Sequence, residues 1–372
     1  MDSLSQIVLG GAVAAAIAPS GHRRAALLAG AALGTLPDLD SFLIKPFVSD
    51  PVMLMTVHRS FSHSLLVLPL VGALIWWLCR WREGRVHAAP VRWFWAIQLA
   101  LITHPLLDAF TVYGTQLWWP LAPPPTMWSS VFIIDPLYTL WLLIACVIAW
   151  VVPKKPVAQR ALLAGLVLSS GYLGWSLLAK SMIDRQAEPQ LRAMGLGASP
   201  RFSTPMPFTT LLWRVVAMTP SGYVEAERSV FDDGPLVFRA HASNTQALAQ
   251  ANALGIPAVR RLMWFNRGFM RARTLDGQLT LSDLRMGLDP DYSFNFTVAQ
   301  ARGDSWQAMR PRQVPAALPI SGAAGFGALM SATWHRIWND SDQALRDVVV
   351  GQAGAQAAAG NPVGAPAINA SK

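Results

Sequence analysis

The stretch Met55–Leu66, MTVHRSFSHSLL, sets two histidines, His58 and His63, around an arginine, a phenylalanine and two serines. It runs directly into the apolar block Leu65–Cys79. Ionisable side chains at the mouth of a membrane helix are costly and mark a functional site by default. Two clusters of similar character flank it, Pro37-Asp38-Leu39-Asp40 before and His104-Pro105-Leu106-Leu107-Asp108 after. Whether these three meet decides how the chain folds and what it does.

Composition places much of the chain in lipid. Of 372 residues, 53% are hydrophobic and 14% charged, against roughly 25% charged in soluble domains. The deficit is uneven: residues 1–179 hold 11 Lys+Arg and 7 Asp+Glu, and the remainder hold 19 and 14. The first half therefore reads as a membrane domain and the second as a water-exposed one. The net charge of +9 sits largely in short loops between apolar blocks, where it sets orientation rather than binding nucleic acid. Cys79 and Cys146 lie inside apolar segments and suggest neither a disulfide nor a thiolate metal site. Met1-Asp2-Ser3 lacks a basic leader, so the first apolar block is expected to be retained.

Six apolar blocks follow one another: Ile7–Ala18, Ala25–Leu36, Leu65–Cys79, Trp93–Asp108, Pro136–Val152 and Ala161–Ala179. Arg23 and Arg24 follow the first, Arg80, Arg82, Arg85 and Arg92 the third, and Lys154, Lys155 and Arg160 the fifth. This alternation predicts six spans with both termini outside the cytoplasm. The first two blocks are shorter than the ~20 residues of a straight span, and Gly10, Gly11, Gly30 and Gly34 would let them pack closely as a hairpin. Asp38, Asp40, His58, His63, His104 and Asp108 then all fall on the non-cytoplasmic side, with Gln6 and Asp135.

Beyond Lys180 the pattern changes. Residues 181–207 read as a linker and residues 208–310 as a small β-rich, non-cytoplasmic domain. Thr219-Pro220-Ser221-Gly222 and Leu275-Asp276-Gly277 are its hairpin turns, the second joining Arg261–Thr274 to Gln278–Arg285. Residues 311–372 are rich in Ala, Gly and Pro and read as mostly disordered, with a helix near Leu329–Val350. The fold class expected is a membrane α-helical bundle of about six spans, a β-rich extramembrane domain and a disordered tail.

Asp and His are ligands for zinc, manganese or iron. Asp38 and Asp40, two apart, share a side of an extended segment, and His104 and Asp108 share a helix face. Pro105 between them suggests a kink, with Thr103 satisfying the freed backbone. Taken singly, each pair has a plain structural reading as a turn, a neutralised buried imidazole or an interfacial cap. Together, at one membrane depth, they form a candidate site for a divalent metal, zinc or manganese, with Asp38, Asp40, His58, His63, His104 and Asp108 as candidate ligands. Convergence requires Asp38, His63, His104 and Asp108 to lie within ~10 Å of one another.

These residues carry a resemblance. Pro37-Asp38-Leu39-Asp40, His58-Arg59-Ser60-Phe61-Ser62-His63-Ser64-Leu65, Thr103-His104-Pro105-Leu106-Leu107-Asp108-Ala109-Phe110-Thr111-Val112-Tyr113-Gly114 and Leu117-Trp118-Trp119-Pro120 resemble the YdjM-like family over roughly residues 1–180. That resemblance implies a bacterial inner-membrane protein described as a metal-dependent hydrolase. Family members often carry His early in the first helix and after the second Asp of PDxD, where this chain has Gln6 and Ser41.

In such an enzyme the metal lowers the pKa of water toward ~7. A carboxylate left off the metal, Asp40 or Asp108, acts as general base. Arg59 binds the anionic group under attack, and Ser62, Ser64, Thr111 and Gln116 support the ligands. A site at the membrane boundary favours an amphiphilic substrate among or resembling membrane lipids, cleaved at an ester or phosphoester. Two other classes compete: an ion-coupled transporter using the same residues, and a non-catalytic scaffold whose outer domain binds a partner. Arg260, Arg261, Arg267, Arg271 and Arg273 would form the docking patch of such a scaffold.

Overall fold

The computed structural model describes residues 1–315 and 323–339. Its helical region begins with an antiparallel hairpin, α1 (Ser3–Ile17) and α2 (Arg23–Thr35). Asp2 caps α1, accepting from the Ser5 amide at 3.1 Å. The hairpin is tight because glycines face glycines. A Cβ built on Gly10 would lie 2.3 Å from the Gly30 carbonyl oxygen, and one on Gly34 would lie 2.4 Å from the Gln6 carbonyl oxygen. Pro37 ends α2 in a short 3-10 turn, Leu36–Leu39, and α3 (Asp40–Ile44) follows.

Asp50 caps α4 (Pro51–Val57), accepting from the Val52 and Met53 amides. The chain then turns through Phe61–His63 into α5 (Leu68–Arg80), bending 55°. After α6 (Arg85–Ala88), α7 (Pro90–Ala109) runs through Pro105 without breaking. Thr103 bonds the Leu99 carbonyl at 2.7 Å, not the Leu101 carbonyl that a proline at 105 leaves free. Asp135 caps α8 (Pro136–Val151), and α9 (Pro156–Ala193) is the longest helix described.

Six full spans are not supported. Two helical stretches are long and apolar enough to cross a membrane, Ser20–Ile44 and Pro156–Ala193, or three if the bent pair Pro51–His63 and Leu68–Arg80 is one span. The 15 residues of α1 rise about 22 Å and the 16 of α8 about 24 Å, short of the ~30 Å hydrocarbon core. In α7, Arg92, Gln98, His104 and Asp108 dilute the apolar run.

The basic loops do cluster at one end of the helices. Arg23 donates to the Pro153 carbonyl and to Gln159, Arg24 to the Trp150 carbonyl, and Trp93 to His22. The opposite end gathers the start of α1, the end of α2, the end of α7 and the start of α8 through Gln6–His104, Asp2–Ile133 and Ser5–Thr139 bonds.

At about 57 Å, α9 is longer than a bilayer is thick, and its second half belongs to the β-rich domain (the outer domain, meaning outside the helical region). Residues 181–207 are therefore not a linker: α9 reaches Ala193 and the first strand, β1 (Arg201–Pro205), follows within that range. Ala179, Ile183, Ala187 and Leu191 pack on Trp213, Val215, Ala217 and Val224. The first sheet is antiparallel in the order β1, β2 (Leu212–Thr219), β3 (Gly222–Ser229), β4 (Arg239–Ala242).

Next come α10 (Thr245–Ala253) and α11 (Pro257–Asn266). The expected strand Arg261–Thr274 is half helix, because α11 extends to Asn266 and ends where Arg267 and Gly268 take positive φ. The second sheet is formed by β5 (Met270–Leu275), β6 (Gln278–Asp283), β9 (Asn295–Arg302) and β10 (Ser305–Val314), in the order β10-β9-β6-β5. The short pair β7 (Gly287–Leu288) and β8 (Asp291–Tyr292) interrupts it.

A buried ionic chain ties the first sheet to the Asp289 loop and β5: Arg214 pairs with Glu225, His241 lies between Glu225 and Asp289, and Arg271 pairs with Asp289. Burial works against the Glu225 carboxylate, but Arg214 and His241 outweigh it and hold the group down at about 2. The last described helix is α12 (Ala323–Trp338). The end of β10 and α12 fall inside the range 311–372 expected to be mostly disordered, and α12 covers the start of the helix expected near Leu329–Val350; its part beyond Asn339 lies outside the described residues.

The outer domain is joined to the helical region through a shared core. Val52 and Met55 of α4 and Tyr113 after α7 are buried among Val259, Leu262, Phe265 and Phe296. Three of the five arginines expected to form a docking patch bond at this junction or within the domain, and Arg260 and Arg273 are exposed. Arg261 bonds Thr56, Arg267 the Pro125 carbonyl at 2.8 Å, and Arg271 pairs with Asp289.

Candidate metal centre

Three chain breaks meet at one point. The 3-10 turn after α2 delivers Asp38, the turn between α4 and α5 delivers His63, and the last turn of α7 delivers His104 and Asp108. One ligand atom from each lies within 4.8 Å of the others, well inside the separation that convergence required. His63 Nε2 is 3.1 Å from Asp108 Oδ2, 3.1 Å from His104 Nε2 and 3.4 Å from Asp38 Oδ1. His104 Nε2 is 3.5 Å from Asp38 Oδ1 and from Asp108 Oδ2. His63, His104 and Asp108 are fully buried, and the Asp38 side chain is 22% exposed.

These spacings fit an ion. Ligand bonds of about 2.0–2.2 Å place tetrahedral donors roughly 3.3–3.6 Å apart, close to the five separations above, while the group as a whole spans up to 4.8 Å. Two imidazole Nε2 atoms facing each other at 3.1 Å need a proton or a cation between them. Asp38 Oδ1 is buried yet accepts no hydrogen bond, as a donor atom aimed at a cation would be.

The far ring nitrogens point the same way. His104 Nδ1 donates to the Gly34 carbonyl at 2.5 Å, which leaves its Nε2 lone pair facing the centre. His63 Nδ1 donates to Ser62 Oγ at 2.9 Å, and Ser62 donates to Asp40 Oδ2 at 2.6 Å. The Ser62–Asp40 pair thus sets the tautomer of His63.

Of the six candidate ligands, the structure brings four together and sets Asp40 and His58 one layer out. His58 Nδ1 lies 2.7 Å from Asp40 Oδ1, and Asp40 Oδ2 also accepts from the Arg59 amide at 3.1 Å. With both oxygens engaged, Asp40 is a brace for the His58–His63 turn. Arg59 is buried at φ 63°, with Nε 3.2 Å from Asp108 Oδ2 and its guanidinium 4.9 Å from the Tyr113 ring. It neutralises Asp108 and touches no other member of the four within salt-bridge range.

Thr111 bonds the Asp108 carbonyl at 2.7 Å and accepts from Arg59. Ser64 and Gln116 instead hold loops, donating to the Trp119 and Thr56 carbonyls. Asp135 stays at the α8 cap, bonded to Tyr172.

The two departures from the family pattern land differently. Gln6 reaches the centre itself, its Nε2 3.1 Å from Asp108 Oδ1 and its Oε1 buried without a hydrogen bond. Ser41 joins the outer pair, 3.1 Å from His58 Nδ1. The Met1 amino nitrogen also contacts Asp108 Oδ1.

Tyr113 was not read as a site residue from the sequence. Its hydroxyl holds the Met55 carbonyl at 2.7 Å, its ring backs Arg59 and His58, and its carbonyl accepts from Arg285 of the outer domain at 2.8 Å. Its place in the run Thr111-Val112-Tyr113-Gly114 was the only signal.

No curated protein and no solved structure matches the chain. The region that builds the centre, residues 1–183, matches the family model described as YdjM inner membrane protein, and through that region the chain belongs to the YdjM inner membrane protein family.

Proposed function

We propose that this protein is a membrane-bound, metal-dependent hydrolase acting on an ester or phosphoester of an amphiphilic substrate at the outer face of the inner membrane. The observation that carries this reading is the convergence of Asp38 Oδ1, His63 Nε2, His104 Nε2 and Asp108 Oδ2 within 4.8 Å of one another. Zinc or manganese held there supplies Lewis acidity and makes water a nucleophile at neutral pH.

The chain's own residues do the rest. Asp38 marks the open side of the centre, since it alone of the four is part-exposed. If His63, His104 and Asp108 held the metal, the fourth position would be left to water, and the Asp38 carboxylate beside it would take the proton of that water as it adds to the ester carbon or phosphorus while the alcohol leaves with a proton. Arg59 holds Asp108 in place and offers a guanidinium beside the centre to a developing anion. Apolar side chains beside Asp38, Leu36 and Leu39 with Phe42 and Leu43, are exposed and would hold an acyl or prenyl chain in lipid.

Metal analysis of the detergent-purified protein tests the reading. Wild type is expected to retain about one equivalent of a divalent ion, and His63→Ala, His104→Ala and Asp108→Ala to lose it. Hydrolysis of lipid-linked phosphates or esters should vanish in the same three variants and return when metal is restored to chelated wild type. A wild-type protein free of metal after purification and after incubation with zinc or manganese would refute it.

A further inference from the structure

The outer domain carries an aromatic cluster that its own fold does not use. The inner face of α12 is satisfied: Leu329, Ala332 and Ile337 pack on Met206 and Leu212, and Arg336 pairs with Asp232 at 2.9 Å. Ser229 fixes the end of the helix by donating to the Ile337 carbonyl at 2.7 Å. The outer face carries Trp334 and Trp338, one turn apart, 58% and 56% exposed. Phe231, 51% exposed, stacks on Trp338 with centroids 4.8 Å apart. Three large aromatics held rigidly together and more than half exposed form the kind of patch that marks an interaction surface.

The position of the patch says what covers it. Phe231 follows Val230, whose amide bonds the Leu211 carbonyl. One residue earlier, Thr210 Oγ1 accepts from Trp175 Nε1 and meets the Tyr172 hydroxyl, both at 3.1 Å. Tyr172 and Trp175 lie on α9 where it leaves the apolar stretch, next to Leu177 and Leu178, which are exposed as lipid-facing residues are. Tyr172 also bonds Asp135 at the start of α8, so this is the level at which a second helix begins. The cluster therefore continues the aromatic level of the helical region sideways onto the outer domain. Trp and Tyr gather at this depth because the ring prefers the acyl boundary and the N–H or O–H the headgroups.

We infer that Phe231, Trp334 and Trp338 form an interfacial anchor that seats the outer domain on the surface of the same bilayer. The partner is the lipid headgroup–acyl boundary, contacted by the outer face of α12. The anchor would fix the tilt of the domain, and hence of Tyr113 and Arg59 beneath it, relative to the membrane. This inference does not depend on the metal reading.

Site-directed nitroxides in vesicles of neutral lipid test it, in full-length protein with Cys79→Ser and Cys146→Ser. A label at Trp338→Cys, and independently at Trp334→Cys, should collide with lipid-partitioned oxygen severalfold more than with a water-soluble nickel chelate, matching a label at Leu177→Cys. A label at Asp304→Cys, on the exposed turn between β9 and β10, should favour the chelate. Chelate-dominated collisions at both 334 and 338 would overturn the inference. Shielding of both labels from both reagents would also overturn it, since that result means a protein contact.

Discussion

At the scale of single residues, the centre separates atoms that face it from atoms that hold those atoms still. Ser62 belongs to the second kind: it connects His63 Nδ1 to Asp40 and so decides which imidazole nitrogen carries the proton. Arg59 belongs to neither kind: its Nε reaches Asp108 Oδ2, the oxygen that His63 Nε2 also contacts, and its guanidinium donates only to protein oxygens. The two should therefore fail differently. Ser62→Ala is expected to weaken metal binding about 10–100-fold, the usual effect of removing a partner behind a ligand, while leaving the fold intact. Arg59→Ala should keep its metal, because a guanidinium cannot ligate a cation, yet lose substrate hydrolysis. Arg59→Lys should restore little, as an ammonium cannot sit flat on the Tyr113 ring while reaching Asp108. Metal titration of the three variants, followed by activity on the same samples, checks this. Loss of metal in Arg59→Ala as complete as in His63→Ala would make Arg59 a structural brace and remove the argument for an anionic substrate.

At the scale of elements, what holds the centre together is how closely the α1–α2 hairpin can approach. The Gly34 carbonyl must reach His104, and Gln6 must reach Asp108, which needs backbones in contact at Gly10, Gly30 and Gly34. A Cβ on Gly30 would sit 2.2 Å from the Gly10 carbonyl oxygen and 2.6 Å from Ala14 Cβ. Gly30→Leu is expected to destabilise the protein by about 1–3 kcal/mol or more and to reduce metal retention, although residue 30 touches no ligand. Thermal unfolding in detergent, with metal content of the surviving folded fraction, measures both.

The same elements show which patterns could be read in advance. The two hairpins were legible because their turns carry their own chemistry. Thr219 and Gly222 pair across the first, and Asp276 and Gly277 take positive φ in the second, as an Asp-Gly turn prefers. The His104–Asp108 pair was legible because a helix fixes i and i+4 on one face. Asp40 and His58 were not separable from the true neighbours of the centre, because spacing along irregular turns does not say which of two carboxylates points inward. Arg261–Asn266 was misread as strand because α11 is too short for its 3.6-residue period to stand out. Apolar blocks and basic loops together suggest six spans, but alternation of charge does not test length, and the first two blocks already fall short of the ~20 residues of a straight span.

At the scale of the molecule, one end of the helices carries the basic loops and the other carries the centre with the outer domain on top of it. The shared core of Val52, Met55 and Tyr113 with Phe265 and Phe296, and the Arg285 bond to the Tyr113 carbonyl, make the domain a wall of the site. The charge on the other end predicts an orientation in the cell. Arg23, Arg24, Arg80, Arg82, Arg85, Arg92, Lys154 and Lys155 all lie at helix ends or in the loops beside them, the positions that the positive-inside rule counts. If that rule holds here, these residues stay in the cytoplasm, and the centre and residues beyond Lys180 are expected outside.

The segment around Gly84, between α5 and α6, should then face the cytoplasm. A phosphatase reporter that folds only outside the cytoplasm is expected to be active when fused after Ala193, where α9 has cleared the lipid, and silent when inserted at Gly84. A cytoplasm-dependent fluorescent reporter should give the reverse pattern. If the fusion after Ala193 is silent and the one at Gly84 active, the domain and the centre face inward. A substrate would then have to come from the cytoplasmic leaflet, while the metal geometry would stand unchanged.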